Sequence, residues 1–216
     1  MTETIHARAA LLDMDGTLVD STAVVERLWL AWAEPHGLDP QTVLSVVHGR
    51  QGHQSMAIML PERDHAINLS ENDTMLATET DDTEGVIEIA GAAAFLGSLL
   101  PHPHAIVTSA NVPLMTARMM AAGLTVPAVA VTAESVSASK PDPEGFLLGA
   151  ELLGIAPSDC LVFEDSGAGI QAGLAAGMRV VGVGRHALAH RPTYFVEDLT
   201  QVAVAPAVDG FVLTIR

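Results

Sequence analysis

One cysteine and one lysine are all that the 216 residues contain of either type: Cys160, and Lys140 among ten basic side chains set against 26 acidic ones. A lone cysteine excludes an internal disulfide, so packing must hold the fold and a reducing cytoplasm is the expected setting. Cys160 lies in the apolar run CLVF and is expected to be a buried structural thiol. No apolar run approaches the ~18 residues of a membrane span, and MTETIHARAA has no apolar centre of the kind a signal peptide needs. The formal net charge of −16 argues against nucleic acid or an anionic membrane as partner, because the average surface repels both. It does not exclude a small anionic substrate, since a local cation pocket outweighs a distant field screened by salt. Scarcity of lysine in an alanine-rich chain reflects base composition. The surviving Lys140 nevertheless marks a position where arginine would not substitute.

What is present is a series of short apolar runs separated by helical patterns. ARAALLD is followed by HAIVTS at 104–109, PAVAVT at 127–132, CLVFED at 160–165 and MRVVGVG at 178–184, and DGFVLTIR adds another at the end. Between them VPLMTARMMAAG, EGFLLGAELLG and GIQAGLAAGM carry apolar residues at three- and four-residue spacing, with glycine near each end. Buried strands alternating with helices predict an α/β core, a doubly wound, Rossmann-like parallel sheet covered on both faces. About 85 residues separate the first two runs without a comparable strand. They hold STAVVERLWLAWAEPHG, with Ser21 as N-cap and Val24, Val25, Leu28 and Trp32 as a helical face, then helical patterns near 40–47, 53–60 and 70–78. Residues 1–17 and 86–216 are therefore expected to form the core, and 18–85 an inserted α-helical cap that returns through TETDDTEGV. Trp29 and Trp32 are expected to pack. An insertion after the first strand overhangs the carboxyl end of the sheet, where such folds bind ligands.

Four chemistry-bearing stretches fall at strand ends. In DMDGT, Asp13 and Asp15 stand two residues apart, on one face if the strand continues, and so require a cation or proton between them. TSAN supplies hydroxyls and free backbone N–H groups at a strand-to-helix turn. Lys140-Pro141 holds the lysine backbone out of the helical region. Glu164-Asp165 forms a second acidic pair ahead of GAGIQA. Asp13 and Asp165 are hard oxygen ligands suited to Mg²⁺, while Thr108, the Ser109 amide and Lys140 are donors for a phosphate. Together they predict phosphoryl transfer, with Asp13 as nucleophile and Asp15 as the group that protonates the leaving oxygen and later activates water.

DMDGT, VTSAN, SKPDP and FEDSGAGIQAG resemble, in order, the four motifs of the haloacid-dehalogenase-like phosphohydrolases, and the insertion resembles the small helical cap of their β-phosphoglucomutase-like branch. HGR at 48–50 and residues 131–155 are similar to bacterial sugar and hexitol phosphatases and to fungal glycerol-phosphate and 2-deoxyglucose-6-phosphate phosphatases. The resemblance spans nearly the whole chain. It implies that Asp13 is nucleophile and metal ligand, that Asp15 also offers its backbone carbonyl to the metal, and that Asp165 is the third ligand. It further implies phosphate binding by Thr108 and Lys140, with Thr17 and Glu164 in support. His48 and Arg50 in the cap are expected to contact the sugar. The other histidines show no metal-ligand spacing.

The expectation is a monomeric, cytoplasmic, Mg²⁺-dependent phosphatase of small sugar or polyol phosphates. A sugar-phosphate mutase is the alternative, set apart by VVHGRQGHQSM, which is more similar to the phosphatases. Dehalogenation would not need Asp15, and Schiff-base phosphonate cleavage would need a cap lysine that is absent. A phospho-accepting signalling module would be shorter, without a cap or an acceptor in its first strand.

Overall fold

Four consecutive apolar residues, AALL at 9–12, cannot alternate between core and water, so such a strand must be covered on both faces. The computed structural model, which describes residues 3–47 and 50–216, puts this strand in the middle of the sheet with all four residues buried. The chain starts with β1 (Glu3–Ala7), β2 (Ala9–Leu12) and the two-residue β3 (Val19–Asp20). It then runs through α1 (Thr22–Ala33), α2 (Pro40–Leu44), α3 (Gly52–Met59) and α4 (His65–Asp81), and returns at β4 (Ile87–Glu88). Next come α5 (Ala92–Leu99), β5 (His104–Val107), α6 (Val112–Ala121), β6 (Val129–Val131), α7 (Glu144–Leu153), β7 (Cys160–Glu164) and α8 (Gly167–Ala175). The last elements are β8 (Arg179–Val183), β9 (Tyr194–Val196), β10 (Val202–Ala207) and β11 (Gly210–Ile215).

Six strands form one parallel sheet in the order β6-β5-β2-β7-β8-β9. Side chains alternate across it. Leu12, Ile106, Phe163 and Val181 join Phe95, Leu99, Leu114 and Met119 of α5 and α6 on one face. Leu11, Val107, Val162 and Val180 join Phe146 of α7 and Ile170 of α8 on the other. Each fully buried leucine or phenylalanine contributes roughly 1.5–3 kcal/mol. Cys160 packs in the core on the second face, and burial lifts its thiol to about 11, as suits a structural residue.

Three expectations need correction. DGFVLTIR does not join the parallel sheet: β11 lies between β1 and β10 in a separate antiparallel sheet whose Ile5, Phe211 and Leu213 add to the first core. Its alternating buried and half-buried residues are the mark of a sheet covered on one face only. The return linker TETDDTEGV begins as helix, since α4 continues to Asp81. Ser21 stands at the N-cap of α1 but caps nothing with its side chain, because its hydroxyl is turned to Asp15. Helix α5 and strand β9 carry no sequence expectation, being a short alanine-rich segment and a three-residue edge strand.

Residues 22–81 are helical apart from their connections, and β3 pairs with β4 where the insertion leaves and rejoins the chain. The insertion has a small core of its own, made of Trp29, Ala33, Val43, Val47 and Met56. Trp29 and Trp32 meet edge to face at 5.4 Å, and the Trp32 indole donates to Glu71 at 2.6 Å. Helix α4 lies against α6 of the sheet-bearing part, and Ser139 donates to Gln54 of α3 at 2.6 Å.

Candidate active site

From β2 the chain travels to β5 and β6 on one side, then crosses to β7 on the other, so the order reverses at the β2/β7 boundary. Crevices at such reversals, beyond the carboxyl ends of the strands, are where open α/β sheets hold ligands. Asp13 follows β2, Thr108 follows β5, and Glu164-Asp165 closes β7. The Asp13 N–H donates to the Phe163 carbonyl at 3.0 Å and that of Thr108 to Val131 at 2.9 Å, carrying the ladder into the site loops.

Carboxylate oxygens of Asp13, Glu164 and Asp165 lie within 4.8 Å of one another. Lys140 meets two of them, donating to Asp13 Oδ1 at 2.5 Å and Glu164 Oε1 at 2.9 Å, with its third proton on the Val107 carbonyl at 2.9 Å. All three ammonium protons are therefore engaged within the protein. Although burial opposes its charge, the two carboxylates push the Lys140 pKa up and keep it protonated. Burial lifts the Asp13 carboxyl to about 7 against the pull of Lys140, with Glu164 adding to the rise. Burial, then Glu164 and Asp13, raise Asp165 well above the usual carboxylate range. Three carboxyl groups share one ammonium there, so ionising all of them would leave negative charge uncompensated, and a hard divalent cation bound by their oxygens would offset it. The donor set fits a metal.

Glu164 is fully buried, and its Oε2 accepts from the Ser166 N–H at 2.7 Å and hydroxyl at 3.0 Å. Two glycines leave room for these carboxylates: a Cβ on Gly16, which has φ +82°, would strike Asp165, and one on Gly169 would strike Glu164.

Asp15 does not share a strand face with Asp13. The strand ends at Leu12, and the turn at Gly16 sends Asp15 to a different cation. Its Oδ2 accepts from Arg118 at 2.7 Å and its Oδ1 from the Ser21 hydroxyl at 2.7 Å. The second terminal nitrogen of Arg118 donates to Glu79 of α4 at 2.7 Å. Burial, eased by Arg118, raises the Glu79 pKa. Arg118 and Glu79 were not among the expected site residues. VPLMTARMMAAG reads as an ordinary amphipathic helix, and the only available signal is an arginine on its apolar side, since Arg118 is buried with Leu114 and Met115.

These groups surround a cavity of about 120 Å³. The sheet-bearing part contributes Asp13, Asp15, Thr108, Ser109, Arg118 and Asp165, and the insertion contributes Trp29, Arg50, Asn72 and Glu79. Thr108 is buried and accepts from the Ala110 N–H at 3.1 Å. Asn111 caps α6 by accepting from the Leu114 N–H. Among the described residues the amides of Met14, Asp15 and Ser109 donate to no acceptor, which leaves them free for an anion. The buried Thr17 hydroxyl also has no partner there. Arg50 lines the cavity, whereas His48 lies outside the described residues.

Lysine-held carboxylates beside a turn with free amides, in a cavity lined in part by a helical insertion, accompany the class to which the comparisons assign the chain. The chain belongs to the haloacid dehalogenase-like hydrolase family, whose profile matches residues 7–177. It is 44% identical to hexitol phosphatase A of Escherichia coli (strain K12) over 181 residues, 83% of this chain and 84% of that one. It is 32% identical to 2-deoxyglucose-6-phosphate phosphatase 2 of Saccharomyces cerevisiae, over 90% of this chain and 89% of the relative. Its fold is shared with a β-phosphoglucomutase-like protein of Bacteroides vulgatus, at TM-score 0.77 and 23% identity, covering 91% and 86% of the two chains.

Proposed function

We propose that the protein is a Mg²⁺-dependent phosphatase that hydrolyses small sugar or polyol monophosphates through a phosphorylated Asp13. One observation carries the reading: a carboxylate held by Lys140, that of Asp13, and a separately held carboxylate, that of Asp15, line one small cavity. Relatives named for hexitol phosphate and 2-deoxyglucose 6-phosphate support the substrate class. Residues 18–85 act as a cap over a core formed by 1–17 and 86–216.

Lys140 occupies Asp13 Oδ1, which fixes the carboxylate and leaves Oδ2 without a protein hydrogen bond among the described residues. Asp13 attacks phosphorus, the bond to the ester oxygen breaks, and Asp15 passes its proton to that oxygen. Asp15 then takes a proton from water as the water attacks the phosphoryl group, and Asp13 leaves as inorganic phosphate forms. Thr108 and the amides of Met14, Asp15 and Ser109 bind the phosphoryl oxygens, to which Lys140 contributes its charge through Asp13. Asp13, Asp165 and the Asp15 carbonyl would hold Mg²⁺, with Glu164 behind them. When bound, the ion offsets charge on the phosphate and on the acidic cluster.

Phosphate release from hexitol, glycerol and 2-deoxyglucose phosphates, with Mg²⁺ and with chelator, tests this. Expected are Mg²⁺-dependent release by the native protein and none by Asp13→Asn. Isomerised sugar phosphate without release of inorganic phosphate would turn the assignment to a mutase, and chelator-resistant release would remove the metal.

A further inference from the structure

An arginine as deeply buried as Arg118, 3% exposed, needs its charge answered, and carboxylates from two parts of the fold do so. Asp15 belongs to the loop after the central strand, and Glu79 belongs to the helical insertion. A buried ion triad is a poor way to join two helices, because apolar side chains of the same volume usually stabilise such a contact as well or better. Its geometry serves Asp15 instead. With Ser21 on Oδ1 and Arg118 on Oδ2, the carboxylate is held at both oxygens while still bordering the cavity. Glu79 takes the other arm of the fork, and two fixed ends keep the guanidinium plane from turning away.

We propose that Arg118 is the positioning residue for Asp15 and that Glu79 locks it, so that Asp15 takes up its working geometry only when α4 is seated on α6. The inference rests on the phosphatase reading, in which Asp15 protonates the leaving oxygen. A misplaced Asp15 then harms a basic leaving group more than an acidic one. Phenyl and p-nitrophenyl phosphate are close in size and offer the cap no sugar hydroxyls, yet the phenolate is much the more basic, with a phenol pKa of about 10.

The test is kcat/KM for a series of aryl phosphates, plotted against leaving-group pKa, with the Mg²⁺-loaded enzyme. Asp15→Asn serves as reference, beside Arg118→Lys, whose single ammonium cannot span both carboxylates, and the double variant Arg118→Met/Glu79→Met. The double variant removes both buried charges together, so it retains a folded comparison if the lysine variant fails to fold. Both are expected to lose about tenfold more on phenyl than on p-nitrophenyl phosphate, a fraction of the general-acid contribution, and to steepen the plot towards that of Asp15→Asn. Parallel plots for a folded Arg118 variant and the native enzyme, with a steeper one for Asp15→Asn, would overturn the positioning role. An unaltered slope in Asp15→Asn itself would instead overturn the acid/base reading of Asp15 and the inference with it.

Discussion

Lys140 is a residue whose chemistry was visible before its surroundings were. As the only lysine, it stands where three acceptors converge from β2, β5 and β7, at 2.5, 2.9 and 2.9 Å, with the Phe146 ring 5.1 Å from its nitrogen. A longer, planar guanidinium cannot direct three donors to those points. Lys140→Arg is expected to lower kcat/KM about 10–100-fold, equivalent to one hydrogen bond to a charged group, and full activity in this variant would make the lone lysine an accident of composition. Asp13, Thr108, Ser109 and Asp165 were legible in the same way, since each follows an apolar run in the sequence and the sheet then gathers the run ends. Arg118 was not. Its partners lie 103 and 39 residues away, and an arginine on the apolar side of a helix signals only that it faces inward, not which carboxylates it will meet.

At the scale of elements, periodicity revealed α6, α7 and α8 because their buried faces are apolar, and it caught only 70–78 of α4, which runs from His65 to Asp81, because the buried face of that helix is not. The buried residues of α4 are Asn68, Asn72 and Glu79, so an apolar stripe could neither bound the helix nor indicate which side faces inward. Helix α8 raises a related point. Glycine inside a helix costs about 1 kcal/mol relative to alanine, so Gly169→Ala would ordinarily stabilise. Here the new methyl would meet Glu164, whose buried carboxylate is fixed by Lys140 and by the Ser166 N–H and hydroxyl and could move only by breaking those bonds. Overpacking costs about 1–3 kcal/mol, which exceeds the propensity gain. Gly169→Ala is therefore expected to lower the melting temperature and the activity together. A higher melting temperature with full activity would show that Glu164 moves freely.

For the molecule as a whole, the cavity is lined by residues of both the sheet-bearing part and the insertion, so substrate choice and chemistry are open to separate measurement. Arg50 comes from the insertion and lines the same cavity as Asp13, Asp15 and Asp165. If it grips the sugar and stabilises closure, Arg50→Ala is expected to cost about 2–3 kcal/mol in kcat/KM on the best sugar phosphate. It should cost much less on p-nitrophenyl phosphate. Equal losses on both would put Arg50 in phosphate binding or folding, and no loss would remove it from the site.

The acidic cluster lies where β2 and β7, the two central strands, end together, and so it bears on the stability of the whole chain. Ionising Asp165 there is costly, as its raised pKa shows, with burial the main cause and Glu164 and Asp13 adding to it. A carboxyl whose folded pKa is raised withdraws stability as pH climbs above its unfolded value near 4, so at neutral pH the metal-free protein bears that penalty. Asp165→Asn keeps the shape and removes the charge. In chelator at pH 7.5 it is expected to melt above the native protein, by about 2–4 °C for each kcal/mol relieved in a chain of this length. Adding Mg²⁺ is expected to reverse the order. Ligand binding at a hundredfold excess over Kd stabilises the native protein by about 2.7 kcal/mol, whereas the asparagine variant has lost a charged ligand and gains little. Melting curves of the two proteins, each with Mg²⁺ and with chelator, measure both effects at once. If the native curve ignores Mg²⁺, the cluster is not a metal site, and if Asp165→Asn melts lower in chelator, its carboxylate is held by something other than a bound cation.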